Sequence, residues 1–442
     1  MAAPNATAQR PGAGLQVGSW CLYDWANSAF TTLVVSFIYS AYFSDAFADD
    51  AGRGTALWSR GVTVSALGIA VLAPIAGVLA DRGGRRRYLI VSALVCVAAT
   101  VALAFVRPSQ PNAVLTALTL FVVANVAYEI GLVFYNAFLP SLAPAGRIGR
   151  ISGYAWGIGY AGGLSALAVA LVVFVPETPL FGIPTEEGFN LRATNLLVAG
   201  WFLLFSLPAF ILLRDETAPG AGAASIRGAF AGIATTARHL RRYRQAGLFL
   251  LARLFYNDGL VTIFAFGGIY AVGTFGFSFT QLVTFGIVIN VAAGLGAAAF
   301  GIVDDRVGGK TTVAISIVAL AAATLLGAVA QTQAGFWTAA VLVGIFAGPN
   351  QAASRSLMAR FAPPRHESEF FGFFAFSGKV TSFLGPLLLG VLSDAYNQRV
   401  GIASLLLFFL IGGVLLWRLN EEEGIAAASS LDGAAPQTPS RR

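Results

Sequence analysis

The chain has 442 residues, of which 57% are hydrophobic and 11% are charged, and its net charge is +7. Soluble domains carry about 25% charged residues, so these values and a mean hydropathy of +0.73 exclude a soluble fold of this size. Nearly all of the positive charge is arginine in short segments between apolar stretches, which is typical of a membrane protein rather than of a nucleic-acid-binding groove.

Apolar stretches long enough to cross a bilayer, about 20 residues each, recur along the whole chain. They predict an all-α membrane protein with twelve transmembrane helices, numbered here in chain order. The predicted spans are 20–43, 59–80, 88–106, 112–138, 151–175, 193–213, 246–273, 279–303, 311–330, 336–360, 370–392 and 399–418.

The longest segment between spans, 214–245, separates six predicted spans from six. We therefore expect an N-terminal six-helix bundle, a linker and a C-terminal six-helix bundle, followed by a disordered tail. Their ranges are 1–213, 214–245, 246–418 and 419–442. Within the linker, Ile226, Phe230, Ile233 and Leu240 fall at helical spacing, which indicates an amphipathic helix on the membrane surface; a plain solvated linker is the alternative.

The positive-inside rule sets the orientation. Most of the 28 lysines and arginines fall on one side of the predicted spans, together with both termini, while the opposite loops collect acidic residues such as Asp45 and Glu177. We expect both termini to be cytoplasmic, in a bacterial-type inner membrane. The N-terminus has no apolar segment typical of a cleaved signal.

Cysteine and histidine are scarce, and their positions argue against metal or redox chemistry. Cys21 and Cys96 lie in predicted spans, and His239 and His366 lie in predicted loops. No cofactor and no metal are expected. A membrane enzyme would need a nucleophile with a nearby base, and the sequence offers no such motif.

Six ionisable side chains lie inside predicted spans. Because a charge at membrane depth costs several kcal/mol, such residues typically mark a substrate or ion pathway. Three are acidic and three are basic, so they can pair across a polar cavity. They are Asp24, Glu129, Arg253, Asp258, Arg355 and Lys379.

An internal repeat supports the division into two halves. The segment between the second and third spans of each half contains a glycine, then an acid within four residues, then further glycines and basic residues. We expect the first glycine of each to end its helix and the charges to form an inner-gate network. The residues are Gly77, Asp81, Arg82 and Arg85 in the first half, and Gly301, Asp304, Asp305, Arg306 and Lys310 in the second.

The first of these segments, in a chain with twelve predicted spans, resembles the major facilitator superfamily. A more particular similarity is to its vacuole-effluxer-like branch, which includes the fungal vacuolar amino-acid effluxer and a bacterial group of unknown major facilitators. The stretches that carry it are 22–30, 133–140, 147–153, 256–259 and 348–356. The resemblance covers about residues 19–418 and implies secondary transport by alternating access.

In that superfamily, spans 1, 4, 7 and 10 line a central cavity, and here these spans carry most of the polar residues. The polar residues of span 1 share one helical face, and so do those of span 4. The resemblance therefore implies a site for substrate binding or coupling, to which we add Lys379 of span 11. Its residues are Tyr23, Asp24, Asn27, Asn125, Tyr128, Glu129, Asn136, Arg253, Tyr256, Asn257, Asp258, Asn350, Gln351, Arg355 and Lys379.

Depth along each span, at about 1.5 Å per residue, suggests different roles. Asp258 lies near the midplane and Glu129 slightly to the inner side, so either is a candidate for proton coupling, with Arg253 or Arg355 as partner. Asp24 and Arg355 lie near the inner surface, where an inner-gate salt bridge, coupling and binding all stay open for Asp24. A permanently paired structural bridge is the alternative to proton coupling by Glu129 or Asp258.

Both signs of charge in one cavity favour a small zwitterionic substrate, such as a neutral or aromatic amino acid. The aromatic residues available to contact its side chain are Tyr23, Tyr128, Tyr135, Tyr256 and Trp156. A multidrug or xenobiotic exporter of the same fold and a non-transporting membrane sensor are the alternatives. We expect a monomer whose partners are the substrate, the lipid bilayer and, for the coupling hypothesis, protons.

Overall fold

The computed structural model describes residues 12–48, 50–144, 146–215 and 243–430. Its described residues form helices joined by short turns, without strands. The longer helices of the first half are α1 (Ala13–Ala29), α3 (Ala51–Gly83), α4 (Arg85–Phe105), α5 (Ala113–Ala137), α7 (Ile148–Val173) and α8 (Phe189–Leu212). The short α2 (Tyr39–Ala46) follows a π-helical segment, Phe30–Phe37, that continues α1, and α6 is a single turn, Leu139–Leu142.

The second half has a matching series of helices. They are α9 (Arg244–Phe275), α10 (Phe279–Val307), α11 (Gly309–Val329), α12 (Gln333–Phe361), α13 (Glu367–Lys379), α14 (Leu384–Ala395) and α15 (Gln398–Trp417). A further helix, α16 (Glu421–Ser429), follows. Predicted span 11 is therefore two helices, α13 and α14, separated by turns at 380–383.

Ten helical stretches in the described residues are long and apolar enough to cross a membrane. They coincide with predicted spans 2–9, 11 and 12. The two remaining predicted spans correspond to α1 with its continuation through α2, and to α12, a 29-residue helix that carries polar residues such as Asn350 and Arg355. The described residues thus form an all-helical structure with ten candidate membrane spans.

Side-chain caps and glycines set several helix boundaries. The Asp50 carboxylate accepts a hydrogen bond from Arg53 N at the start of α3, and Ser278 forms a capping box with Gln281 at the start of α10. Gly84 and Gly308 have φ values of +92° and +89°, a conformation that only glycine adopts at little cost. These two glycines end α3 and α10 and let α4 and α11 start at once.

The packing of the first half recurs in the second. α4 packs on α5 and α8, as α11 packs on α12 and α15; α1 packs on α8, as α9 packs on α15. The two halves meet through α7 against α10 and through α3 against α13. These contacts relate the halves as a repeat, in agreement with the paired loops in the sequence.

The polar contacts that join the halves lie in the middle of the bundle or at one end of it. We call that end the linker face: it holds Asp81, Arg150, Asp305 and Glu367, and the chain reaches it at residues 215 and 243. Ion pairs join Arg85 to Glu367 and Arg150 to Asp305 there. The halves are therefore held together at the linker face.

One sequence prediction, on the C-terminal tail, needs correction, and another, on the linker, lies outside the described residues. The tail was expected to be disordered from residue 419, but Glu421–Ser429 is a helix, because Asn420 caps its start and the Glu421 carboxylate accepts hydrogen bonds from Gly309 N and Lys310 N. The amphipathic helix expected over 226–240 lies outside the described residues.

Candidate functional site

The two halves share an ion pair in the middle of the bundle. Glu129 Oε1, on α5 of the first half, lies 2.6 Å from Lys379 Nζ at the end of α13 in the second. The Lys379 and Glu129 side chains are 29% and 18% exposed, so neither is sealed from the space between the halves. Because the pair joins the two halves and is partly exposed, a charged ligand can compete for either side chain.

Three polar residues of α9, at positions 253, 257 and 258, bind α13 and α14 on either side of the interruption between these helices. Arg253 Nη1 donates to Phe374 O at 2.7 Å and to Ser377 Oγ at 2.9 Å. Asn257 Nδ2 donates to Gly378 O at 3.3 Å, and the Asp258 carboxylate accepts from Gly385 N at 3.2 Å. The bonds to Gly378 O and Gly385 N satisfy backbone groups at the break, while Arg253 binds the last turns of α13. They place Lys379 at the α13 end that faces Glu129.

Asp258 differs from the other interior charges in its surroundings. The residue is 1% exposed, and in the described part of the chain its Oδ1 accepts no hydrogen bond and its carboxylate makes no ion pair. Among the described residues, the ion pair of Glu129 is with Lys379, and neither Arg253 nor Arg355 forms an ion pair with Glu129 or Asp258. Arg253 instead donates to Phe374 O and Ser377 Oγ. Lys379 is the last residue of α13, beside the break in span 11, and from this position it reaches Glu129.

Asp24 and Arg355 form a second interior ion pair across the halves, with Arg355 Nη1 3.0 Å from Asp24 Oδ2. Both residues are buried. Arg355 Nη1 also lies 3.4 Å from Asn136 Oδ1. Burial makes this pair costly to break, because removing one partner leaves a buried charge uncompensated.

The remaining predicted residues fall into smaller polar contacts. Tyr128 donates to Asn27 at 3.3 Å, and Gln351 donates to Asn257 at 3.1 Å, so these residues lie around the centre. Tyr23 is buried and stacks on Tyr135.

Three predicted residues bond to neighbours within their own half. The hydroxyls of Tyr256 and Ser354 share a hydrogen bond, Asn125 donates to Ser65, and Asn350 donates to Ser316. Asn125 and Asn350 therefore link neighbouring helices of one half and do not join the two halves.

The first linker-face cluster surrounds Asp81. Its carboxylate oxygens accept hydrogen bonds from Ser368 N and Glu369 N, both at 2.9 Å, at the start of α13. Arg85 pairs with Glu367, and its Nη1 donates to Ala137 O at 2.8 Å. The first half thereby caps a helix of the second, where the helix dipole favours a negative charge.

A second cluster repeats this arrangement in the opposite direction. Asp305 Oδ1 accepts from Gly149 N at 2.8 Å and Arg150 N at 3.2 Å, at the start of α7. Asp304 pairs with Arg360 at 2.7 Å. The Lys310 ammonium donates to backbone carbonyls beside α15.

Some details of the predicted inner-gate loops are wrong. Gly77 and Gly301 do not end helices: α3 and α10 run on to Gly83 and Val307. A Cβ at Gly77 would overlap the backbone of Ser368, and one at Gly301 would lie 2.8 Å from Gly149 O. These glycines allow the halves to approach closely instead. Arg82 and Arg306 are exposed.

One group at the linker face has the residue types of a metal site. Ligand atoms of Asp81, His366 and Glu369 lie within 4.8 Å of one another. Because both Asp81 oxygens already accept backbone hydrogen bonds and His366 Nδ1 lies 3.1 Å from Glu369 Oε2, we assign this group to capping of α13.

His366 gives the linker face a small pH dependence. Its hydrogen bond with Glu369 raises the pKa of His366, and nearby Asp81 and Glu367 act in the same direction against desolvation. A raised pKa stabilises the folded state fully below the ordinary value of about 6.5, and this contribution is lost as the pH rises through the folded-state pKa.

Because the His366 side chain is half-exposed, its ionisation contributes at most about 0.5 kcal/mol to the free energy of unfolding. We expect the thermal midpoint of the wild type to fall relative to that of His366→Gln between about pH 6 and pH 8. Parallel midpoints for the two proteins over this range would contradict the assignment.

The sequence analysis missed residues that complete these contacts. Ser152 binds the Arg355 guanidinium, Ser377 binds Arg253, and Glu367 pairs with Arg85. The sequence signal for Glu367 was an acid three residues before predicted span 11, on the same expected side of the membrane as the paired loops. The two serines gave none, because serine is common in transmembrane helices.

An apolar cavity of ≈ 280 Å³ lies in the second half, apart from the interior charges. It is lined mainly by α9, α10, α11 and α12, and Phe37 of the first half also reaches it. Its aromatic lining includes Phe264, Phe285 and Phe336, and Asn290 contributes an amide.

Comparisons with known proteins agree with this architecture. The family described as "Vacuole effluxer Atg22 like" matches residues 53–148 and 144–429. An uncharacterized MFS-type transporter of Bacillus subtilis (strain 168), YxiO, is 31% identical over 415 residues, which cover 92% of this chain and 95% of that protein.

Autophagy-related protein 22 of Cryptococcus neoformans var. neoformans serotype D (strain B-3501A) is 29% identical over 298 residues, or 62% of this chain. The match spans about half of that protein's length, 53%.

Among solved structures, the fucose:proton symporter FucP of E. coli superposes with a TM-score of 0.72 at 16% identity, covering 93% of this chain and 99% of that one. The human organic anion transporter MFSD10 gives a TM-score of 0.71 at 17% identity, over 92% of this chain and 100% of that one. At such identities the likeness concerns the fold alone.

Proposed function

Because this chain belongs to the vacuole effluxer Atg22-like branch of the major facilitator superfamily, a family of membrane transporters, we propose that it exports a small zwitterionic metabolite, an amino acid, by proton-coupled alternating access. The proposal includes twelve membrane spans in two six-helix bundles, both termini and the linker face in the cytoplasm of a bacterial-type inner membrane, and a monomer.

The central observation is the Glu129–Lys379 ion pair, which joins the halves at a partly exposed position between them. An acid and a base at one reachable place suit the ammonium and carboxylate of a zwitterion. Protonation of Glu129 would remove the attraction across the halves, and so would a substrate that takes over both charges. This links substrate, proton and movement through one contact.

Asp258 is the second candidate for proton coupling. A buried carboxylate without a cation partner costs several kcal/mol, and binding a proton removes the charge. Because Asp258 accepts from Gly385 N at the start of α14, a change in its charge would act on the break between α13 and α14. That break carries Lys379, so the two candidates act on the same element.

Export and an amino acid substrate have more indirect support. Export follows from the effluxer description of the family, and the amino acid follows from both signs of charge at the centre and from resemblance to the fungal effluxer. The apolar cavity with Phe264, Phe285 and Phe336 favours a second candidate, export of an apolar xenobiotic. Export of an amino acid and export of an apolar xenobiotic are therefore the two hypotheses to be tested.

Flux in proteoliposomes tests the proposal. Vesicles containing the purified protein are assayed for counterflow of each labelled amino acid and, in parallel, of an apolar cationic dye. We expect saturable counterflow of at least one amino acid, and uphill movement when a pH gradient is imposed. Flux of the dye alone would favour the xenobiotic exporter, and flux of neither would contradict transport of these substrates.

A further inference from the structure

The guanidinium of Arg355 belongs to α12 in the second half, but the four hydrogen bonds it donates go to the first half. Nη1 reaches Asp24 Oδ2 at 3.0 Å and Asn136 Oδ1 at 3.4 Å. Nε reaches Ser152 Oγ at 2.9 Å, and Nη2 reaches Ser152 O at 2.7 Å. The first half therefore presents a set of acceptors shaped for a whole guanidinium.

Aromatic rings of the first half surround the same cation. The Arg355 Cζ atom lies 4.8 Å from the centre of the Trp20 ring, 5.7 Å from that of Tyr135 and 5.6 Å from that of Trp156. A cation within about 6 Å of an aromatic ring is attracted by its quadrupole. We call Trp20, Asp24, Tyr135, Ser152 and Trp156 the guanidinium box.

The box is held together without help from Arg355. Trp20 and Tyr135 stack with ring centres 4.5 Å apart, and Trp20 Nε1 donates to Tyr135 O at 2.8 Å. α1 and α7 pack closely, since a Cβ at Gly162 would overlap the backbone of Trp25. Its five residues lie on α1, α5 and α7 of the first half, so separation of the halves would withdraw Arg355 while the five residues keep their places on these helices. Separation would also free the Ser152 hydroxyl, which donates to Ala352 O of α12 at 2.7 Å.

We propose that the guanidinium box is a binding site for an organic cation of the guanidinium type, which Arg355 occupies whenever the linker face is closed. Access to the site rests on the proposed function, because it requires the linker face to open during transport. A guanidinium ligand and Arg355 then exclude each other, so bound ligand holds the linker face open until it leaves. Among amino acids, the site selects arginine by its side chain.

The geometry favours a guanidinium over an ammonium. The planar ion can lie against Trp20 while its edges donate to Asp24 and Ser152, as Arg355 does. An ammonium is a compact, strongly hydrated charge that cannot match this flat set of acceptors. A neutral urea of the same shape lacks the charge that the Asp24 carboxylate and the three rings recognise.

Chemical rescue tests the box without any transport assay. In purified Arg355→Ala, ethylguanidinium should raise the thermal midpoint by at least about 2 °C, whereas isosteric ethylurea should leave it unchanged. Adding Asp24→Asn should abolish the rise. Equal effects of the two compounds, or a rise that survives Asp24→Asn, would overturn the proposal.

The wild type supplies a second test that does not depend on the folding of a variant. L-arginine carries a guanidinium group where L-citrulline carries a neutral ureido group, and the two are otherwise alike. Each is titrated as an inhibitor of the counterflow of a labelled amino acid that the protein transports. We expect arginine to inhibit at concentrations at least about tenfold lower than citrulline. Equal inhibition by arginine and citrulline would overturn the guanidinium box, even if amino acids are transported. Absence of all flux would count against the proposed function, and the rescue experiment would still test the box.

Discussion

Asp24→Asn is expected to lower transport at least about tenfold and to shift the protein away from the state with a closed linker face. The substitution leaves the Arg355 guanidinium buried without its carboxylate, which lies 3.0 Å away in the wild type. Removing one partner of a buried ion pair costs about 3–5 kcal/mol, and each 1.4 kcal/mol changes a population tenfold. A carrier that cannot return to its closed state turns over slowly.

Two measurements check this expectation. Counterflow gives the transport rate, and maleimide labelling of Cys21, buried on α1 within one turn of Asp24, reports opening of the linker face. Cys96→Ser removes the other thiol. Asp45→Asn is the matched control, since it removes an exposed aspartate from α2. Normal rates and unchanged labelling in Asp24→Asn would show that the pair does not hold the gate.

Glu129→Gln is expected to abolish uphill transport driven by a pH gradient while counterflow continues. Glutamine keeps the shape of the side chain but cannot exchange a proton, and it leaves Lys379 without the carboxylate 2.6 Å from its Nζ. The lost partner should also lower stability by about 1–3 kcal/mol. Asp258→Asn, assayed in the same way, identifies which of the two carboxylates couples.

A double variant separates coupling from stability. Glu129→Gln combined with Lys379→Met removes both charges, so the thermal midpoint should recover toward that of the wild type while uphill transport stays absent. Glu177→Gln, at an exposed site, controls for the loss of one acid. Full uphill transport in both Glu129→Gln and Asp258→Asn would discard proton coupling through these groups.

The helices were predictable because lipid imposes a simple rule on the sequence. A segment that crosses a bilayer must be apolar and must satisfy its own backbone, so length and composition reveal it. The break between α13 and α14 escaped this logic. Backbone groups at the break are satisfied by Asn257 and Asp258 of another helix, and no local sequence pattern encodes such contacts.

The pairing of charges was predictable in kind but not in detail. The sequence shows that acids and bases share the interior, and depth along the spans left an Asp24–Arg355 salt bridge as one of three open roles for Asp24. It did not indicate that Lys379 faces Glu129, because that depends on where α13 ends. Gly77 and Gly301 were assigned to helix ends, whereas their role depends on which backbone lies opposite.

The sequence alone determined that this protein spans a lipid bilayer, that its chain is a repeat of two halves, and that charges lie within its spans. The first and last of these conclusions depend on the free energy of single segments in a bilayer, and the repeat was recognised from two matching loop segments. Only the tertiary structure decided that Arg355 is held wholly by the opposite half, among Trp20, Tyr135 and Trp156. Such recognition arises from three helices meeting in space, and the distances between their side chains are fixed by packing rather than by position along the chain.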